Sequence, residues 1–249
     1  MPTTDQAVCI RTSDYSETSQ VVVLLTRQGG VVRLLAKGSK RPKSSSGGRV
    51  DLFAEGQAVF SGTGREALGT LREFAETTSH SPLRADLARL NAGLYMLELC
   101  GATLAESDPH PQVFDLLHNA LHRLGQADAS PQAVLAYFQW RLARHAGLLG
   151  ELTACAACGG QVGARGVYFS SSRGGLLCRN CEPAATEKYA VGPAALSALG
   201  ALAAAEAGKK AQLAERQAAE ANALLAYHMQ YQLGRPLKSA RLAVPGAPG

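Results

Sequence analysis

QVVVLLTRQGGVVRLLA, Gln20 to Ala36, decides the fold. Two short runs rich in Val and Leu flank Gln28-Gly29-Gly30, and a glycine-containing connection of that length joins neighbouring strands as a hairpin. Outward from this pair, QAVCIRT precedes it and VDLFAEGQAVF and LGTLREFAET follow it. These stretches are also short and apolar, and Gly, Ser and Asp separate them. Residues 1 to about 80 therefore predict about five strands, which suit a small closed or nearly closed barrel. The oligonucleotide-binding OB-fold is one such form.

The pattern changes at His80-Ser81-Pro82, where a candidate Ser N-cap precedes Pro at the first helical position. Leu83, Leu87, Leu90, Leu94 and Leu97 follow at helical spacing and predict one buried stripe. A second helix is expected from about Pro111 to Leu124, with Val113, Leu117, Leu121 and Leu124 on one side. A third should start at Ser130-Pro131 and bury Val134, Phe138 and Leu142. A cysteine-bearing insert occupies about 152–183, an alanine-rich helical pattern runs from Gly192-Pro193 to about Leu233, and PLKSARLAVPGAPG reads as a loose tail. The expected class is α+β: an OB-fold barrel over 1–80, a helical domain over 81–235 with an inserted metal module, and a flexible tail over 236–249.

At 249 residues and 46% hydrophobic, the chain can bury a substantial core, which excludes general disorder. The N-terminus MPTTDQAVCIRTSDYSE lacks the basic start and apolar run of a secretory signal. Apolar runs such as Val21 to Leu25 fall far short of the roughly 20 residues that span a bilayer. The expectation is a cytoplasmic protein with no membrane partner, whose six cysteines are thiols or metal ligands rather than disulfides.

Four of those cysteines form C-x-x-C twice, as Cys155-Ala-Ala-Cys158 and Cys178-Arg-Asn-Cys181. Two residues between thiolates let both sulfurs of a turn reach one ion, and a second such turn completes four-coordination. VYFSSSRGGLLC resembles a hairpin that delivers the second pair. Four thiolates leave no open position for water, so one structural Zn2+ is expected rather than a catalytic one. Cys9 and Cys100, in apolar settings, read as buried, unreactive thiols.

Catalytic motifs are missing. There is no phosphate-binding GxxxxGK[ST] loop, and SGTGREALG lacks dinucleotide-turn spacing. His118 and His122 stand four apart but enclose Asn119, Ala120 and Leu121, so they lack the HExxH base and read as surface or packing residues. His80, His110, His145 and His228 have no carboxylate or cysteine partner evident in sequence, and no nucleophile elbow is present. Neither catalysis nor a small-molecule substrate is expected.

The charge pattern carries the function. From Arg27 to Val50 the chain holds Arg27, Arg33, Lys37, Lys40, Arg41, Lys43 and Arg49 and no acidic residue. A solvated loop is the default reading of such a tract. Here it follows the third strand of a presumed barrel, where strand faces and adjoining loops form grooves for oligonucleotides. Lys37, Lys40, Arg41 and Lys43 are the expected phosphate contacts, with Arg33 and Arg49 as weaker candidates. Two rivals remain: a zinc-stabilised adaptor that docks proteins while the basic loop is incidental, and a zinc enzyme.

VVVLLTRQGGVVRLLAKGSKRPKSSSGG followed by LFAEGQAVF resembles the N-terminal region of the bacterial RecO family. The helical remainder with its four-cysteine insert resembles the zinc-bearing members. That resemblance implies an OB-fold, a helical domain with a zinc module, and a recombination mediator in DNA repair, cytoplasmic and nucleoid-associated. It further implies binding of single- and double-stranded DNA, annealing of complementary strands, and work with RecR to load the recombinase RecA onto DNA coated by single-stranded-DNA-binding protein.

Overall fold

The computed structural model describes residues 2–41, 47–64, 68–163, 166–206 and 212–246, and divides the chain into two compact units, Met1–Gln126 and Ala127–Gly249. The sequence boundary near residue 80 marks where strands end, whereas the first compact unit also takes in the two helices that follow.

The first unit is built on β1 (Thr3–Asp14), β2 (Gln20–Thr26), β3 (Gly30–Ala36), β4 (Glu55–Ser61) and β5 (Gly69–Thr78), which close as a barrel in the order β1-β2-β3-β5-β4. Every neighbour is antiparallel except the β3/β5 seam, where Leu34 pairs with Gly69 and Leu35 with Thr70 in parallel. This is the five-stranded OB-like form expected from the sequence. Alternate residues fill its interior, with Ala7, Cys9, Val22, Leu24, Val32, Leu34, Ala58, Phe60, Leu71 and Phe74 all buried. The seam needs glycine, because a Cβ on Gly69 would stand 2.9 Å from both Leu34 Cδ2 and the Ser61 carbonyl oxygen.

The β2/β3 hairpin forms as its sequence predicts, in register from Gln20 opposite Ala36 to Thr26 opposite Gly30. Buried Asp5 fixes the turn, its Oδ2 accepting from the amides of Gln28 (2.8 Å) and Gly29 (3.0 Å). Gly30 adopts φ 71° where a side chain would collide with the Asp108 backbone.

Helix α1 spans Leu87–Thr103, with Asp86 Oδ1 capping it through the Arg89 amide, and α2 spans Pro111–Leu124. The expected start of α1 is shifted, since Ser81–Ala85 forms a separate 3-10 turn and Asp86 is extended. That break changes the helical phase. Leu83 and Leu97 are buried as predicted, but Leu87 is exposed and Leu90 and Leu94 are half-buried, and the buried side of the helix is completed by Ala92, Tyr95, Met96, Leu99 and Cys100. α2 buries Val113, Leu117, Leu121 and Leu124 as the spacing predicts.

In the second unit, α3 (Pro131–His145), capped by Ser130, packs with α4 (Pro193–Glu206) and α5 (Glu215–Leu233). Ala136, Ala198 and Ala221 meet at their core, small side chains that let the helix backbones approach closely. A buried amide network ties α3 to α5: Gln139 Nε2 donates to Asn222 Oδ1 (2.8 Å), whose Nδ2 donates to the Gln132 carbonyl (2.9 Å). The cysteine insert forms β6 (Val167–Ser170), β7 (Gly175–Leu177) and β8 (Tyr189–Val191) in the order β7-β6-β8. The hairpin was legible in VYFSSSRGGLLC; the third strand was not. Nor is the C-terminal segment loose through residue 246, because Leu237, Ala240, Ala243 and Val244 are buried around a short helix, α6 (Ala240–Ala243), and Gln132 Nε2 holds the Ala243 carbonyl at 3.0 Å.

Candidate nucleic-acid interface and metal centre

The outer surface of β1, β2 and β3 divides into two parts. The outward row Val8, Leu25 and Val31 is buried, as α1 lies along β1 and α2 along β2. The next outward rows are open. Arg11 pairs with Val23 and Val23 with Arg33, while Ser13, Val21, Leu35 and Thr70 form the row beyond. A bulge between Cys9 and Arg11 turns Arg11 onto this face. Both arginines are exposed, and Val21, Val23 and Leu35 are half-buried between them. The result is an aliphatic strip flanked by guanidinium groups, with Lys37 at its edge where β3 ends.

The turn beyond β3 is pinned rather than loose. Gly38 N–H donates to Ser19 Oγ (3.1 Å) and Lys40 N–H to the Thr18 carbonyl (3.1 Å). Gln20 braces both ends of the tract: its Oε1 accepts from Ser39 Oγ (3.1 Å) and from the Val50 amide (3.0 Å), and its Nε2 donates to the Val50 carbonyl (2.9 Å).

The six candidate phosphate contacts are not equivalent. Lys37 and Arg41 are exposed, with no ion-pair partner among the described residues. Lys40 is turned inward: its side chain is 17% exposed, and Nζ lies 2.7 Å from Asp14 Oδ1 and donates to the Ser16 carbonyl at 3.0 Å. The bond from Lys40 and its charge hold the Asp14 carboxyl below its ordinary range. Arg33 sits 3.7 Å from Glu106 and Arg49 3.4 Å from Asp51, both solvent-exposed pairs of the kind that contribute little and can exchange partners. Lys43 lies outside the described residues. Outside this candidate set, Arg27 is engaged by Asp115 through Nε (3.1 Å) and NH2 (3.0 Å). Sequence reading passed over Arg11, whose signal was its outward place beside an alternating run. Of the aromatic residues near the tract, Phe53, Phe60 and Phe74 are buried in the core and Tyr15 is exposed.

In the second unit, Cys155, Cys158, Cys178 and Cys181 converge, with all four sulfurs within 4.8 Å of one another, and could hold a metal ion. The Cys158 and Cys178 sulfurs are 3.9 Å apart, close to the edge of about 3.8 Å for a tetrahedron with 2.3 Å metal–sulfur bonds. The knuckle favours thiolate at its buried corner. Burial pushes the Cys155 thiol up, but amide donors, among them the Cys178 N–H at 3.4 Å, outweigh it and bring the group down to about 6. Cys181 is pushed up to about 12 by its sulfur neighbours Cys158 and Cys178, as expected where thiols crowd without a cation between them. Cys9 and Cys100 are both pushed to about 12 by burial and are unreactive.

One cluster brings together residues that the sequence reading left apart. Glu55, at the start of β4, receives three imidazoles: its Oε2 lies 3.0 Å from His80 Nε2 and 3.7 Å from His122 Nε2, and its Oε1 lies 2.5 Å from His118 Nδ1. The His80 side chain is 4% exposed and that of Glu55 12%. Burial pushes the Glu55 carboxyl up, and the bonds from His80 and His118 more than reverse it, leaving it below its ordinary range. Burial, aided by the neighbouring imidazoles, holds His122 below the usual histidine value. The only sequence signal was the four-residue step from His118 to His122, which puts both on one helical face.

Residues 1–79 match the family model described as Recombination protein O N terminal, and residues 84–241 match Recombination protein O C terminal. The DNA repair protein RecO of Anaeromyxobacter dehalogenans is 35% identical over 242 residues, covering 94% of this chain and 92% of the relative. The Myxococcus xanthus DNA repair protein RecO is 33% identical over 235 residues, covering 94% of each chain. That of Salinibacter ruber is 40% identical over 143 residues, 57% of this chain and 55% of the relative.

Proposed function

The chain belongs to the RecO family of DNA repair and recombination proteins, and from that premise we propose that it is a non-catalytic mediator that grips single- and double-stranded DNA by its phosphates and anneals complementary strands. The observation that carries this reading is the open outer face of β1, β2 and β3, where Arg11 and Arg33 flank an aliphatic strip that leads to exposed Lys37 and Arg41. Two strands repel through their phosphates, so a surface that neutralises both while leaving bases free raises their encounter rate. No bond is made or broken. With Tyr15 as the exposed aromatic residue nearby, charge outweighs base stacking and little sequence preference is expected.

The phosphate contacts are Lys37, Arg41 and Arg33, joined by Arg11, with Arg49 at the periphery; Lys43, outside the described residues, is a further candidate. Lys40 holds the turn in place instead of meeting DNA. Cys155, Cys158, Cys178 and Cys181 hold one structural Zn2+, which their spacing and closed donor set support. Family membership supports cytoplasmic, DNA-associated work with RecR and single-stranded-DNA-binding protein in recombinase loading. Among the described residues no helix is long and apolar enough to cross a membrane.

The test is strand annealing and fluorescence anisotropy on labelled oligonucleotides, comparing the natural chain with a Lys37→Glu, Arg41→Glu double variant that retains its fold. Loss of both activities supports the reading, and unchanged binding removes these residues from the interface. Pull-downs after nuclease treatment separate DNA-bridged partners from those docked directly.

A further inference from the structure

Beyond DNA binding, the first compact unit carries a constellation that the mediator role does not use. Glu55, His80 and His122 each offer one ligating atom, and those atoms all lie within 4.8 Å of one another. They come from the start of β4, the second residue beyond β5 and the last turn of α2. We infer that Glu55, His80 and His122 form a second metal site, separate from the four cysteines, that takes a zinc-type divalent cation.

Three observations support this. First, the spacing is suitable. Metal–ligand bonds of about 2.0–2.2 Å place tetrahedral ligands about 3.3–3.6 Å apart. The Glu55–His80 and Glu55–His122 separations of 3.0 and 3.7 Å bracket that range, so small side-chain rotations make room for an ion. Second, the cluster gathers three imidazoles around one carboxylate. His122 packs against His80 with ring centroids 4.8 Å apart and against His118 at 4.5 Å. In their Nδ1–H tautomers, neutral His80 and His122 aim their Nε2 lone pairs at the same space beside the carboxylate. A divalent cation accepts those lone pairs and the carboxylate together, which is the two-histidine, one-glutamate donor set of open zinc sites. Third, an outer support exists. His118 Nδ1 grips the other carboxylate oxygen at 2.5 Å and fixes the orientation of Oε2 toward the centre.

The site is open on one side. His80 and His122 border a cavity of about 360 Å³ with Thr77, Thr78, Gly125 and Gln126, leaving space for water as the fourth ligand. Filling the site would tie the mouth of the barrel, through β4 and the end of β5, to α2. The cation is thus a clamp within this unit, and its presence does not depend on DNA binding.

The experiment uses the full chain with its cysteine site already loaded. Isothermal titration with Zn2+ should reveal one further equivalent, and Co2+ at that site should give visible ligand-field bands without the strong charge-transfer band of a cobalt–thiolate bond. His122→Gln, at a side chain 44% exposed and therefore tolerant of change, should weaken the second equivalent at least about a hundredfold and leave the first in place. His118→Gln should weaken it less, toward the lower end of the roughly 10–100-fold typical of supporting residues. A missing second equivalent, a thiolate spectrum, or undiminished binding in His122→Gln would each overturn the inference.

Discussion

Replacing Lys37 and Arg41 together by alanine should halve the salt dependence of single-stranded DNA binding while leaving the barrel intact. Four cations stand free or weakly paired on the open face and its edge: Arg11, Arg33, Lys37 and Arg41. If each meets one phosphate, about −0.7 per contact gives a slope of log affinity against log salt of about −2.8. Between about 50 and 200 mM salt the natural chain should then lose affinity about 50-fold, and the double variant, with a slope of about −1.4, about sevenfold. Anisotropy titrations of a labelled oligonucleotide at four or more salt concentrations read both slopes directly. Lys40→Ala is the internal control. Because its ammonium is held by Asp14 and the Ser16 carbonyl, its removal should leave the slope unchanged and instead speed amide exchange at Gly38 and Arg41. The reasoning fails if the double variant keeps the natural slope, or if Lys40→Ala flattens it as much.

The second unit offers three further tests. Cys178→Ser should abolish stoichiometric zinc, read by elemental analysis, and unfold the β6/β7 hairpin, since metal affinity contributes directly to folding in such modules; a native, zinc-replete variant would contradict this. Asn222→Ala removes the acceptor of Gln139 Nε2 and the donor to Gln132 and should cost about 1–3 kcal/mol, measured by urea denaturation. His228 is fully buried, and burial holds its pKa below the ordinary 6.5 despite the bond to the Leu148 carbonyl. Above that value neither state binds the proton and stability is complete. As pH falls below it the unfolded chain protonates first, so stability should drop by up to about 1.36 kcal/mol per pH unit until the buried ring charges. Denaturation midpoints of His228→Leu should show a shallower decline with acid.

What the sequence disclosed was what its neighbours along the chain determine. The β2/β3 hairpin, the buried side of α2 and the paired C-x-x-C turns all lie within short windows, and all three form as read. Failures arose where packing over longer separations decides. Leu83 to Leu97 kept helical spacing, but the 3-10 turn broke their common phase. Tyr189–Val191 is too short to signal a strand and becomes one through pairing with Val167–Phe169. The apolar residues of the C-terminal segment were diluted by Gly and Pro, yet Leu237, Ala240, Ala243 and Val244 find a common surface. For the basic tract, composition located the charge but not its direction. Lys40 differs from Lys37 through Asp14, at the end of β1, and the Ser16 carbonyl. Glu55, His80 and His122 are scattered along the chain, so no local window contains them.

Gln20 has a consequence for how this protein can vary. By grasping Ser39 on one side and Val50 on the other with a single amide, it makes the placement of Lys37 and Arg41 a property of the barrel rather than of the linker's span. Residues added or deleted between Arg41 and Gly47 should therefore leave the two cations in place. Loss of the one glutamine, far smaller as an edit, would let the whole bracket drift.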